Sequence, residues 1–92
     1  MATLLIPTPL RKFTGGAGLF SAHATNVTGL LHALTAEHPG IRPHLFDDSG
    51  TLRTFIRIYV GDEEIDALDG VATALSSDEE VSIIPAIAGG TQ

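Results

Sequence analysis

The chain contains no cysteine, which excludes disulfide frameworks, thiolate metal sites and cysteine nucleophiles together and leaves the redox compartment undetermined. Basic residues are scarce: five Lys and Arg stand against eleven Asp and Glu, for a formal charge of −6. Phosphate binding needs clustered cations, and Arg11-Lys12 is the only basic pair, so nucleic acid is not an expected partner. The negative balance has two readings, attraction to partners with basic surfaces and plain solubility of a small domain. Long hydrophobic runs are also missing. Phe55-Ile56 and Ile83 to Ala88 fall far short of a membrane span, and no basic stretch followed by an apolar block opens the chain as a signal peptide would. The expectation is a soluble, cytoplasmic protein without a membrane partner. What is present is 92 residues that are 43% apolar and only 17% charged, too hydrophobic for disorder. Folding a chain of this size hides roughly 60 to 65% of its unfolded surface, enough for one modest core.

No repeat, low-complexity block or interdomain linker interrupts the chain. Ala2 to Pro7 is a short apolar and β-branched run closed by Pro7 and Pro9, which suits a first strand. Thr14-Gly15-Gly16-Ala17-Gly18 is turn chemistry, and Leu19 to His23 reads as the return strand of a hairpin with a loose loop. A phosphate cradle is not indicated, because neither Lys-Ser nor Lys-Thr follows the glycines. Thr25 or Asn26 can cap a helix reaching about His38, with Val27, Leu30, Leu31 and Leu34 on one face and Thr28, His32 and Glu37 on the other. Pro39-Gly40 ends it. Residues 40–52 lack a period and read as a crossing loop anchored by Ile41, Leu45 and Phe46.

Thr54 to Val60 alternates most clearly, with Ile56, Ile58 and Val60 toward the core and Phe55, Arg57 and Tyr59 on the other face. Two aromatics around an arginine suit a partner surface and equally suit cross-strand packing. Gly61 to Glu64 is a turn, Ile65 begins a short edge strand, and Gly70 to Leu75 is a short helical or 3₁₀ segment. After the polar turn Ser77 to Glu80, Val81 to Ile87 forms the last strand, with Val81 and Ile83 inward and Ser82 and Ile84 outward. The order β-β-α-β-β-(short helix)-β predicts an α+β domain with a mixed sheet of four to five strands packed on one main helix.

No catalytic constellation emerges. His23, His32, His38 and His44 are scattered, and His32 and His38 are six apart, so no metal site is expected. The acidic clusters 47–48, 62–64 and 78–80 fall in turns without the ligand spacing of a calcium loop. Serine and histidine occur without a third member or an oxyanion loop. The chemically distinctive feature is the ending Ala86-Ile87-Ala88-Gly89-Gly90-Thr91-Gln92. A Gly-Gly pair passes through channels too narrow for side chains. Extended, seven residues reach about 20 to 25 Å, enough to enter a partner's active site. On its own such an ending is also what a frayed terminus looks like. The expected division is a domain over residues 1–88 and a flexible tail over 89–92. An ionised carboxylate at its end is a poor electrophile and needs activation, typically as a mixed anhydride with a nucleotide phosphate.

The strand order together with Val81-Ser82-Ile83-Ile84-Pro85-Ala86-Ile87-Ala88-Gly89-Gly90 resembles the β-grasp, ubiquitin-like sulfur carriers of the ThiS and MoaD type, in particular those serving a cysteine synthase. The resemblance extends over Ile6-Pro7-Thr8, Phe13-Thr14-Gly15-Gly16, Phe55 to Glu63 and Gly70 to Ala74. It implies that the chain is a protein substrate and carrier, not an enzyme, with no bound cofactor. A ubiquitin-activating-type adenylyltransferase would use ATP to adenylate the Gly90 carboxylate, sulfur would convert it to a thiocarboxylate, and a sulfur-accepting synthase would receive it. Gly89 would supply the narrow approach, and Phe55, Arg57, Tyr59 and Ile84 the docking surface. Thr91-Gln92 departs from the mature pattern, so the resemblance implies cleavage of the Gly90-Thr91 bond by a zinc metalloprotease of the JAMM type. Two related roles share the same Gly90 chemistry or fold: a ubiquitin-like modifier conjugated to lysines, and the small subunit of a molybdopterin-synthase-like enzyme.

Overall fold

A computed structural model describes residues 1–85. Strand β1, Ala2–Leu5, buries Ala2 and Leu4 and leaves Thr3 and Leu5 half-covered, as a strand with one face on a core must. It pairs antiparallel with β2, Leu19–Ala22, in the register Leu4 to Phe20, so the expected hairpin is present. Its connection is more structured than a loose loop: a 3₁₀ turn over Thr8–Phe13 places Leu10 in the core. That turn is held at its end by the Thr14 hydroxyl, 3.0 and 2.8 Å from the carbonyls of Arg11 and Ala17. Gly15 and Gly16 follow at φ 68° and 90°, a left-handed pair that side chains disfavour.

Helix α1 spans Val27–Glu37 and is capped by Asn26, whose side-chain oxygen accepts the Gly29 N–H at 2.8 Å. Val27, Leu30, Leu31 and Leu34 are fully buried, the face read from the sequence. Thr35 joins them in the buried set, its hydroxyl donating to the His32 carbonyl at 3.1 Å. Residues 40–52 depart from a plain loop. A 3₁₀ turn over Pro39–Ile41 runs into a one-turn helix α2, Arg42–Leu45, and Ile41, Leu45 and Phe46 are buried as expected. Three residues at offsets of four and one bring too little periodicity for that turn to be visible in sequence.

Strand β3, Ile56–Val60, begins two residues later than expected, and β4 is Glu63–Glu64, paired antiparallel to it through Tyr59–Glu64 and Val60–Glu63. The edge strand therefore ends where Ile65 was expected to begin it. Ile65 turns inward to 3% exposure at the start of a 3₁₀ segment, Ile65–Ala67, because an apolar side chain on an edge strand gains more by entering the core than by extending the ladder. A further 3₁₀ segment covers Gly70–Ala72. Strand β5, Glu80–Pro85, lies in the middle of the sheet, parallel to β1 and antiparallel to β3, giving the order β2-β1-β5-β3-β4. Helix α1 packs on the inner face, where Leu4, Ile58, Val81 and Ile83 are buried. This mixed five-stranded sheet on one main helix is the β-grasp, ubiquitin-like fold. The expected domain boundary at residue 88 and the tail 89–92 lie outside the described residues.

Candidate functional site

Because β5 is central, its outward side chains sit in the middle of the exposed sheet face, and its end delivers the chain toward Gly90. Register fixes the neighbours: Ile84 stands opposite Arg57, and Ser82 stands between Tyr59 and Leu5, which in turn faces Leu19. Ile84 and Leu19 are 46% and 60% exposed, unusual for large aliphatic side chains in a small domain and the composition of a contact surface. The Arg57 guanidinium is tied down by Glu64 Oε2 at 3.0 Å and Asp66 Oδ2 at 3.3 Å. Exposed pairs of this kind add at most about 1 kcal/mol, so their main effect here is to hold the guanidinium over the β3 edge. A shallow groove of about 430 Å³ runs between Tyr59, Gly61, Asp62, Ser82 and Ile84.

Of the four residues expected on one docking surface, the structure thus groups three, Arg57, Tyr59 and Ile84. Phe55 stands apart. It lies in the turn before β3, so strand alternation does not govern it, and it lines a cleft of about 220 Å³ with Leu10, Phe13, Ile56 and Pro85. Pro9, Lys12 and His44 complete the rim. The His44 ring stacks on Phe13 with centroids 4.0 Å apart, and Lys12 Nζ lies 5.3 Å from the Phe13 centroid. Sequence reading missed this cleft, because its walls come from four separated segments that share no periodicity; the one available signal is the aromatic Phe13 preceding the glycine turn.

Elsewhere, a pocket of about 300 Å³ is lined by Thr28, Leu31, Phe46, Leu52 and Val71, with no residue of β5 in its wall. Asp47 organises the α2–β3 loop: it accepts from the Ser49 hydroxyl at 2.7 Å and from the N–H groups of Ser49 and Thr51, each at 3.0 Å. The Ser49 hydroxyl bond first, then the Thr51 N–H, hold its carboxyl below the ordinary aspartate range. Among the described residues no group of three or more His, Asp or Glu is placed to hold a metal ion, and no helix is long and apolar enough to cross a membrane. The expected reaction and cleavage residues Gly89, Gly90 and Thr91, with Gln92, lie outside the described residues.

The chain's relatives agree with this architecture. It is 41% identical over 90 residues to the sulfur carrier protein CysO of Mycobacterium tuberculosis, covering 96% of this chain and 97% of that one. The crystal structure of the Amycolatopsis orientalis BexX/CysO complex contains a chain that superposes with a TM-score of 0.88 at 32% identity, covering 98% of this chain and 100% of that one. The small archaeal modifier protein 3 of Haloferax volcanii is 36% identical over 64 residues, 70% of this chain and 68% of that one. Residues 4–90 match the ThiS family model, nearly the whole chain. The chain is therefore a member of the ThiS family.

Proposed function

We propose that the protein is a sulfur carrier whose reactive group is the Gly90 carboxylate. The observation that carries this reading is the extent of the similarity: the family match runs from residue 4 through Gly90 and leaves Thr91-Gln92 outside it. Removal of Thr91-Gln92 by a JAMM-type zinc metalloprotease makes Gly90 terminal. An activating enzyme of the ubiquitin-activating type then joins the carboxylate to the α-phosphate of ATP with release of pyrophosphate. Sulfide, as HS⁻, attacks the acyl carbon and displaces AMP, leaving a thiocarboxylate and releasing a proton. The domain contributes no catalytic group; it contributes position, holding the sulfur in an acceptor enzyme's site by docking its folded body. The acceptor is a synthase making cysteine or another sulfur-containing metabolite in the cytoplasm. Arg57, Tyr59 and Ile84 form the body's contact surface, with Phe55 contributing from the neighbouring cleft.

Intact-mass spectrometry of the protein from its native cells tests this. The expected species lacks Thr91-Gln92 and carries a sulfur-for-oxygen increment. A full-length, unmodified chain throughout growth would refute it. The similarity to the small archaeal modifier protein 3 supports one second reading, conjugation of Gly90 to lysines. A branched Gly-Gly remnant on target lysines would select that reading over the carrier.

A further inference from the structure

Strand β5 runs from an acidic end of the molecule to a basic one. Its first residue, Glu80, follows Asp78 and Glu79, and the Val60–Val81 register with the 2.9 Å bond from Gly61 N–H to the Glu80 carbonyl sets Asp62 and Glu63 beside them. At the other end Pro85 pairs with Ile56 and enters the cleft lined by Leu10, Phe13 and Phe55. The charged group on this rim is Lys12, which is exposed and, among the described residues, forms no ion pair. On a chain of net charge −6, an uncompensated ammonium beside an apolar cleft is a local reversal of sign.

We propose that this cleft receives an aliphatic side chain flanked by carboxylates, presented by an acidic loop of the enzyme that acts on Gly90. The inference rests on the carrier reading. Gly90 is five residues past Pro85, so it stands at most about 18 Å from Pro85 even at full extension. That span brings an enzyme holding Gly90 within reach of the surface around Pro85, where the cleft lies. Charge complementarity selects the occupant: the Lys12 ammonium suits a carboxylate, while Phe13, Phe55 and Pro85 suit an aliphatic group that leaves water on binding. The acidic start of β5 repels the same loop, so the contact also sets which end of the carrier the enzyme approaches.

The test is an NMR titration of the full-length, isotope-labelled chain with acetyl-Glu-Leu-Glu-amide up to about 10 mM, the range of weak single-side-chain binding, against acetyl-Gln-Leu-Gln-amide as the neutral control. The expected result is amide shifts at Lys12, Phe13 and Phe55, with the acidic peptide bound roughly threefold or more tighter, the size of an exposed charge pair. Lys12→Glu should abolish that preference and Lys12→Arg should retain it. Equal response to both peptides, or no response at Phe13 and Phe55, overturns the proposal. Nuclear Overhauser contacts between the Phe55 ring and Ile87 in the free chain also overturn it, by giving the cleft to the chain's own C-terminal segment. The titration needs neither ATP nor sulfur, so its failure leaves the carrier reading standing, and failure of that reading in the intact-mass experiment leaves the titration result standing.

Discussion

Ile83 and Ile84 are adjacent, chemically identical and on opposite sides of the sheet, 1% and 46% exposed. Alanine at each position therefore measures what burial contributes, because the loss of β-propensity, up to about 1 kcal/mol, enters both variants. Truncation of a buried isoleucine removes three carbons, a transfer loss of about 2.4 kcal/mol at about 0.8 each. The cavity left among Leu4, Ile58 and α1 extends the range to about 2–5 kcal/mol. For Ile84 roughly half of the transfer loss, about 1.2 kcal/mol, is the ceiling, with no cavity to add. The two variants should differ by about 2 kcal/mol. Urea unfolding followed by circular dichroism, with a slope of about 1 kcal/mol per molar for a small domain, should separate their midpoints by about 2 M. A domain of this size holds only about 5–14 kcal/mol in total, so Ile83→Val, costing about 0.5–1.5 kcal/mol, is the companion if Ile83→Ala fails to fold. Coincident midpoints, or a less stable Ile84 variant, would refute the argument. Such a result would mean that β5 is displaced by one residue, which exchanges its two faces. In native cells Ile84→Ala, unlike Ile83→Val, should lower the thiocarboxylated fraction while the fold persists.

Two further perturbations probe parts of the molecule that the strands do not reach. Asn26→Ala removes the side-chain acceptor that caps α1 and should cost about 1 kcal/mol, or about 4–8 °C in melting temperature, whereas Asn26→Asp should restore most of it. Asp47 is lowered below its unfolded value by the Ser49 and Thr51 bonds, so its contribution is present above the ordinary aspartate pKa and is lost as pH falls through the lower folded value. Carbon-detected NMR should show its carboxyl titrating below the ordinary range, with the Ser49 and Thr51 amides moving in step. An unshifted midpoint would show that those bonds are not made in solution, and Asp47→Asn should remove the acid-side response of the loop.

Local chemistry carried much of the architecture. The alternation of Ile56, Ile58 and Val60, the spacing of Val27, Leu30, Leu31 and Leu34, and the opposite faces of Ile83 and Ile84 were legible because each is a short-range period set by backbone geometry. The edge strand was not, because two residues provide no period, and Ile65 marks the end of β4 instead of its start. Likewise the 3₁₀ turn at Thr8–Phe13 shows no apolar period, although its Leu10 is a core residue. Phe55 lies off the β3 alternation for a related reason: the period was extended two residues upstream of the true start of β3, into a turn where it no longer applies.

By itself, then, the sequence determined the order of strands and helix, the inward faces and the diglycine ending, all properties of neighbouring residues along one chain. Only the tertiary structure decided that β5 lies between β1 and β3 and so centres Ile84 on the exposed face. It also decided that Lys12, Phe13, His44, Phe55 and Pro85 meet in one cleft. Those five positions are spread over more than seventy residues, and the pairings of β5 with β1 and with β3, long-range contacts with no local signature, bring them together.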